Sequence, residues 1–353
     1  LNLAYRWFCR LGLDGDVPDH STFSKNRHGR FRDSDLLREL FETVLRRCMA
    51  EGLVSGEGFA VDASLIKADA NRQRCVPGDQ GLPPEAASRA IDEYLAVLDD
   101  AAFGGATPVT PKFISPADPA SRWTGANKGL AFFAYATNYL IDLDHAIIVD
   151  VEPSTAVRQA EVTAARTMIE RVREHYDLWP ARLAADTAYG SAEMLDWLVH
   201  DQGIEPHIPV IDKSERIDGT FSRTDFAYDH AQDLYYCQAG KTLVRGRRLF
   251  STPRTKAPPD DTLRYRASTA DCQACALKSR CCPNTPMRKV MRSIHEGARD
   301  FARDIAKTDA YVVSRRERKK VEMLFAPLKR ILKLDRLRLR GPNGAKDEFL
   351  LAA

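Results

Sequence analysis

Residues 59–71 read FAVDASLIKADAN and residues 185–195 read ADTAYGSAEML. In the first, Gly58 to Ser64 has the apolar character of a short buried strand that ends in an acid, Asp62. In the second, Leu183-Ala184-Ala185 is another short apolar strand running into Asp186. An acid there is costly to bury without a partner, and in open α/β sheets ligands bind at the strand ends. The plainer role is that each aspartate caps the turn that follows, and either stretch alone leaves both roles open.

The surrounding pattern is that of a mixed α/β layer. Residues 72–125 hold seven of the 19 prolines and read mostly as loop, with one helix starting near Pro83-Pro84 and showing Ile91, Tyr94, Leu95 and Leu98 on one face. Strands over Ala131 to Leu140 and His145 to Val151 form a hairpin about Asp142-Leu143-Asp144. Ser154 or Thr155 is placed to cap a helix whose apolar face is Ala165, Met168, Ile169, Val172 and Tyr176. Ser191 caps the next, with Met194, Leu195, Leu198 and Val199 inward and Gly203 at its end, and Ile204 to Val210 is a fifth strand.

Further out, residues 1–50 read as helical, broken by Gly12, Gly15 and Pro18, with Leu1, Ala4, Phe8 and Leu11 on one face and an apolar stripe from Leu36 to Leu45. Asp19 or Ser21 caps a short helix between them. Lys25, Arg27, Arg30 and Arg32 lie in the connection, which is either a helix-turn-helix-like DNA contact or a solvated turn. Residues 211–294 break the rhythm with short aromatic strands and five of the eight cysteines. Helix resumes near His295, and Val321, Leu324, Phe325, Leu328 and Leu332 make one apolar face.

Composition excludes several classes. With 44% hydrophobic and 29% charged residues the chain is an ordinary globular one. Its longest apolar stretch, Gly129 to Ile141, is too short to span a membrane and contains Thr137 and Asn138. Eight cysteines are too few for a disulfide scaffold, and the first residues are no signal peptide, so the expected location is the cytoplasm. A net charge of +3 excludes a uniformly basic binder, yet between Arg315 and Arg340 eleven Lys or Arg face only Glu317, Glu322 and Asp335. Neither a P-loop nor a GxGxxG pattern occurs, against an ATP-driven or dinucleotide enzyme. There is no initiator Met, and both ends fall in apolar helical pattern, so the chain is expected to be a fragment truncated at both ends.

A third acid, Glu322, sits in RERKKVEMLFAPLKR at 316–330, with Arg318 four residues before and Lys329 seven after. Periodicity alone makes it an ordinary solvated residue. The three segments together, with PDHSTFSKNR at 18–27 and LKLDRLRLRGPNGAKDEF at 332–349, resemble the DDE-type transposases of bacterial insertion sequences over most of the chain. The matching features are the aspartate of the first strand, the Asp-x-Ala-Tyr-Gly turn, and the helix carrying Arg, Glu and Lys at 318, 322 and 329.

The resemblance implies a ribonuclease-H-like α/β fold: a mixed sheet flanked by helices, over residues 51–210 and 295–340, with an N-terminal helical region at 1–50, an insertion at 211–294 and a C-terminal segment at 295–353. It implies Asp62, Asp186 and Glu322 as catalytic metal ligands for two Mg2+ or Mn2+ ions. Three carboxylates at about 4 Å would repel by roughly 4 kcal/mol per pair at an effective dielectric near 20, a cost divalent cations remove. It implies hydrolysis at a transposon end followed by strand transfer into target DNA, each an in-line displacement. Arg318 and Lys329 would then hold DNA phosphates, as would Arg315, Lys128, Lys25 and Arg27. A homodimer is expected, because two ends must be brought together, and the site of action is the nucleoid.

Two departures from the family pattern stand out. Arg315 occupies the place of a tyrosine common in relatives, and Pro327 lies inside the helix after Glu322, where it removes one backbone hydrogen bond. A catalytically silent, truncated DNA-binding remnant is therefore the alternative reading, and a plain metal-dependent nuclease a third. In the insertion, Cys272-x-x-Cys275 with Cys281 and Cys237 predicts a structural four-thiolate zinc site, with Cys282 as alternative ligand. Trp123, Asn127 and Lys128 are either a DNA contact or a turn over the sheet edge.

Overall fold

In the computed structural model, residues 3–17, 19, 21–22, 25–26, 34–125, 129–212, 214–245 and 261–353 are described. The main sheet consists of β1 (Gly58–Lys67), β2 (Arg122–Thr124), β3 (Phe132–Asp142), β4 (Ile148–Thr155), β5 (Arg182–Ala184) and β6 (Glu205–His207), in the order β2-β3-β1-β5-β6 with β4 also on β3. β3 is buried along nearly its whole length. It pairs antiparallel with β1 on one side, and on the other with β2 at residues 132–134 and β4 at 135–141. β1, β5 and β6 run parallel. The sheet is therefore mixed, as expected, with antiparallel hairpin strands on one side and parallel strands on the other.

The helices around it are α1 (Leu36–Ala50), α2 (Arg89–Ala96), α3 (Arg158–Tyr176), α4 (Ala192–Asp196), α5 (Glu296–Ile305), α6 (Asp309–Glu317), α7 (Lys319–Arg330) and α8 (Gly341–Ala352), with a short helix at Leu3–Phe8. α3 lies on β3 and β4, α7 on β1, α5 on α4 and β6, and α8 on β4, α1 and α2. One continuous apolar core joins them, from Phe41 and Leu45 of α1 to Phe349 and Leu350 of α8. No described helix is long and apolar enough to cross a membrane.

Several boundaries differ from the sequence expectation. β1 does not end at Asp62 but runs on to Lys67, because its later residues keep β3 as a partner after β5 has stopped. β4 runs through Ser154 and Thr155, so neither caps α3. The Ser154 hydroxyl accepts from the Asn138 amide, the Thr155 hydroxyl donates to the Ala120 carbonyl, and α3 starts at Arg158 with no side-chain cap. The helix near Pro83 starts at Arg89, where Ser88 accepts from the Ile91 N–H. Ser191 does cap α4, but the chain then widens into a π-helical turn at Trp197–Gln202 before Gly203 ends it in the left-handed region. The helical stretch that resumes near His295 divides into α5, α6 and α7.

Strands within residues 227–245 and 262–293 form a second, antiparallel five-stranded sheet with its own small core of Phe226, Tyr235, Leu243, Tyr265, Ala267 and Val290. An ion network ties the segment before it to α5: fully buried Glu296 binds Arg299 at 2.7 Å and Arg303 at 2.8 Å and also pairs with Arg223, while Asp212 binds Arg223 at 2.9 Å and Arg303 at 2.7 Å.

Candidate active site

The level of the first two acids follows from ladder register. The last parallel pair of β1 and β5 is Ala60↔Ala184, and both chains continue extended for two residues, to Asp62 and Asp186. Side chains alternate along a strand, so two residues beyond a shared rung both aspartates stand at the same height. Each also makes a local bond: Asp62 Oδ1 accepts from the Ala63 N–H at 2.8 Å, and Asp186 Oδ1 from the Ala188 N–H at 2.7 Å. Asp186 thus does cap its turn. The glycine after Tyr189 is required by close approach: a Cβ on Gly190 would sit 2.0 Å from the Pro209 carbonyl oxygen.

The third acid arrives on α7. Val321, Phe325 and Leu328 are its buried residues, and Phe325 stacks on Tyr139 at 5.0 Å. Tyr139 is the rung partner of Asp62, so this stack sets the helix over the first aspartate. Lys320 secures the helix start by donating to the Leu143 and Asp144 carbonyls. Arg318, at the α6–α7 junction, bridges the acids, Nη1 lying 3.5 Å from Asp62 Oδ2 and Nη2 3.1 Å from Glu322 Oε1. The helix runs unbroken through Pro327 to Arg330. Glu322 remains half exposed, with its side chain 51% accessible against 19% for Asp62.

Burial pushes Asp62 up to about 6, and Asp186 and Glu322 add to the rise while the Ala63 N–H and Arg318 oppose it. A fourth carboxylate shares this field. Glu161, in the first turn of α3, is raised by burial, then by Asp186 and Asp62. The sequence carried a signal for it: Glu161 lies four, seven and eleven residues before Ala165, Met168 and Val172, so an acid occupies the buried stripe of α3. Tyr189 is 1% exposed, with no hydrogen-bond partner for its hydroxyl among the described residues. Burial and then Glu161, Asp62 and Asp186 raise it well above its ordinary value.

The expected phosphate-binding residues fare differently. Lys329 is half buried, and burial lowers it while Asp335 opposes. Arg315, Arg316, Lys319, Arg330, Lys333 and Arg338 are exposed, whereas Arg336 and Arg340 bind Asp69 at 2.6 and 2.8 Å. Part of the basic stretch is thus committed internally. Lys25 is exposed. Arg27 and Lys128, with Asn127, lie outside the described residues. Trp123 packs edge-on against Phe113 and Phe133 beneath the Arg72 guanidinium, so it belongs to the sheet edge.

Among the described residues, no group of three or more His, Cys, Asp or Glu is arranged closely enough to hold a metal ion. The three acids offer carboxylate oxygens, a donor type that suits a hard divalent cation. The zinc expectation gains no such support. Cys237, Cys272 and Cys281 pack on the second core. The sulfurs of Cys237, Cys272 and Cys275 accept the backbone N–H groups of Lys241, Arg288 and Leu277. Burial pushes the Cys281 thiol up to about 11.

Residues 55–353 match the family described as a transposase DDE domain, and residues 1–29 match one described as a transposase domain (DUF772). No solved structure matches the chain.

Proposed function

Because the chain belongs to the family of transposase DDE domains, we propose that it catalyses divalent-metal-dependent phosphodiester hydrolysis and strand transfer during transposition of an insertion sequence, through Asp62, Asp186 and Glu322. The observation that carries this reading is the shared rung that levels Asp62 with Asp186, joined to Glu322 through Arg318. The mixed sheet, with its strand order and the late helix on β1, supports a ribonuclease-H-like core.

Asp62, Asp186 and Glu322 would hold magnesium or manganese. When bound, these ions lower the pKa of the attacking water or hydroxyl and neutralise charge on the leaving oxygen. The protein's own groups do the rest. Asp62 must lose its proton to serve as a ligand. Arg318 balances the charge of two carboxylates and leaves N–H donors for a phosphate. Lys329 and the exposed arginines of α6 and α7 line up the DNA backbone beside the acids. A homodimer would hold the two ends together.

The test is a magnesium-dependent cleavage and strand-transfer assay on the flanking terminal repeats, with Asp186→Ala as control. Cleavage and joining by the parent, and neither by the variant, is the expected result. A variant that cleaves as fast as the parent overturns the triad. DNA binding without cleavage by either identifies a silent binder, and cleavage without joining a plain nuclease.

A further inference from the structure

Two arginines at the strand Lys289–Ser293 of the second sheet are buried, Arg292 within it at 6% exposure and Arg288 just before it at 5%. Arg292 pairs with Asp300 at 3.0 Å, as a buried charge requires. Arg288 has no carboxylate within ion-pair distance among the described residues. Its guanidinium is fixed instead by two backbone carbonyls, donating to Cys281 at 2.8 Å and to Phe221 at 2.6 Å, and it lies 4.8 Å from the centre of the Phe226 ring. Its Nε has no partner among the described residues. A guanidinium carries five N–H donors, so this one is held rigidly with donors to spare and its charge unbalanced.

Arg288 lines a cavity of about 190 Å³ whose wall also includes Arg216, Lys289, Thr220, Asn284 and Thr285. Arg216 and Lys289 are exposed and, among the described residues, have no carboxylate partner either. Asp218, the one acid on the wall, already accepts the N–H and the hydroxyl of Thr220 at 3.0 and 2.6 Å. The neighbouring Cys281 thiol adds no negative charge, since burial pushes it up to about 11. Lys278 fixes one wall by donating to the Thr285 and Cys282 carbonyls at 2.8 and 3.4 Å. No aromatic ring lines the cavity, so a base has nothing to stack on. Fixed donors, excess positive charge and a small volume suit a tetrahedral oxyanion.

The cavity opens onto a basic sheet face. Lys289 is the rung partner of Arg266, and both are exposed. Like charges directly opposite on a ladder repel, and Arg266 too has no carboxylate partner among the described residues. Exposed Arg264 stands two residues back on the same strand and therefore on the same face.

We propose that Arg288, Arg216 and Lys289 form a phosphate-binding pocket, and that the phosphate it takes belongs to a DNA backbone running over Arg266 and Arg264. The pocket stands on its own geometry, apart from the three acids. That its phosphate comes from DNA rests on the transposase reading.

Two measurements on the full chain test it. In the first, the unfolding midpoint is followed in sodium phosphate and in sodium chloride of equal ionic strength. Phosphate is expected to raise the midpoint of the parent above its value in chloride, and Arg216→Ala/Lys289→Ala is expected to lose that gain. Arg46→Ala/Arg47→Ala, which removes the same charge from exposed positions on α1, is expected to keep it. Arg288→Met is expected to lose the gain as well, and if it does not fold the Arg216/Lys289 pair decides. In the second, fluorescence anisotropy follows a DNA duplex of unrelated sequence. The Arg216/Lys289 variant is expected to bind it at least tenfold more weakly, with the slope of log affinity against log salt lower by about one, and the α1 variant within twofold of the parent. A lost phosphate gain with unchanged DNA binding keeps the pocket and overturns its DNA source. If phosphate and chloride give the parent one midpoint and the Arg216/Lys289 variant binds DNA as the parent does, the proposal is overturned. It is overturned equally if the α1 variant weakens DNA binding as much as the pocket variant.

Discussion

Phe325 lies on Tyr139 with ring centroids 5.0 Å apart and planes 21° from parallel, and because Tyr139 is the rung partner of Asp62 this contact helps set the helix bearing Glu322 beside the first aspartate. The stack does two jobs, filling the core and positioning an acid. Phe325→Ala is expected to cost about 3–5 kcal/mol in urea unfolding, as for other buried aromatic truncations. Phe325→Leu is expected to cost less, yet to lower cleavage at least tenfold in protein that is fully folded. Unchanged turnover in the folded leucine variant would mean that Glu322 is placed by something else.

Asp62 holds its proton in the folded chain up to about 6, against 3.8 for the free group. Between those values the folded state binds more protons than the unfolded one, so stability falls as pH rises through this window, and the loss is complete above it. The size is about 3 kcal/mol. Asp62→Asn is therefore expected to raise the melting temperature of the metal-free protein by several degrees at pH 7.5 and by little at pH 4, while abolishing cleavage. A lower melting temperature at pH 7.5 would refute this account.

The same proton competes with metal. At limiting magnesium, cleavage is expected to rise with pH along a limb centred near 6 and to flatten above it. Raising the magnesium concentration should move that limb to lower pH, because metal and proton exclude each other at Asp62. A pH–rate profile at two metal concentrations checks it, and a limb that ignores metal would separate Asp62 from the reaction.

Arg315 is exposed on α6, one turn before the bridge formed by Arg318. Arg315→Ala is expected to leave the unfolding midpoint unchanged and to weaken DNA binding equally for all sequences. The slope of log affinity against log salt should fall by about one. Arg336→Ala, which removes an ion pair to Asp69, is expected to leave that slope as it is. Fluorescence anisotropy across a salt series distinguishes the two.

Asp62 and Asp186 drew notice as acids on short apolar strands, the second before a turn whose Gly190 admits no side chain, whereas Glu322 was singled out by the resemblance alone, its helix being legible from its apolar face. What brings them together was not legible. β5 is only three residues long, and its register with β1 depends on neighbours more than 100 residues away in sequence. The caps at Ser154 and Thr155 were misread because their hydroxyls serve partners across the sheet, at Asn138 and Ala120, that local spacing does not reveal. Glu161 did announce itself, as an acid on an apolar stripe. The cysteine spacing suggested a metal, and in the described residues those sulfurs pack on the second core and accept backbone N–H groups.

Asp62 and Glu322 are separated by 260 residues of chain, with the whole second sheet between them. At synthesis rates of about 5–20 residues per second, roughly 13–50 s pass between making the first acid and making the last. A ribosome-bound chain can complete β1, the hairpin, α3 and β5, and with them both aspartates, well before α7 exists. The three acids are therefore together in one chain only once the second sheet and α7 have been made, with α8 still to follow and close the core.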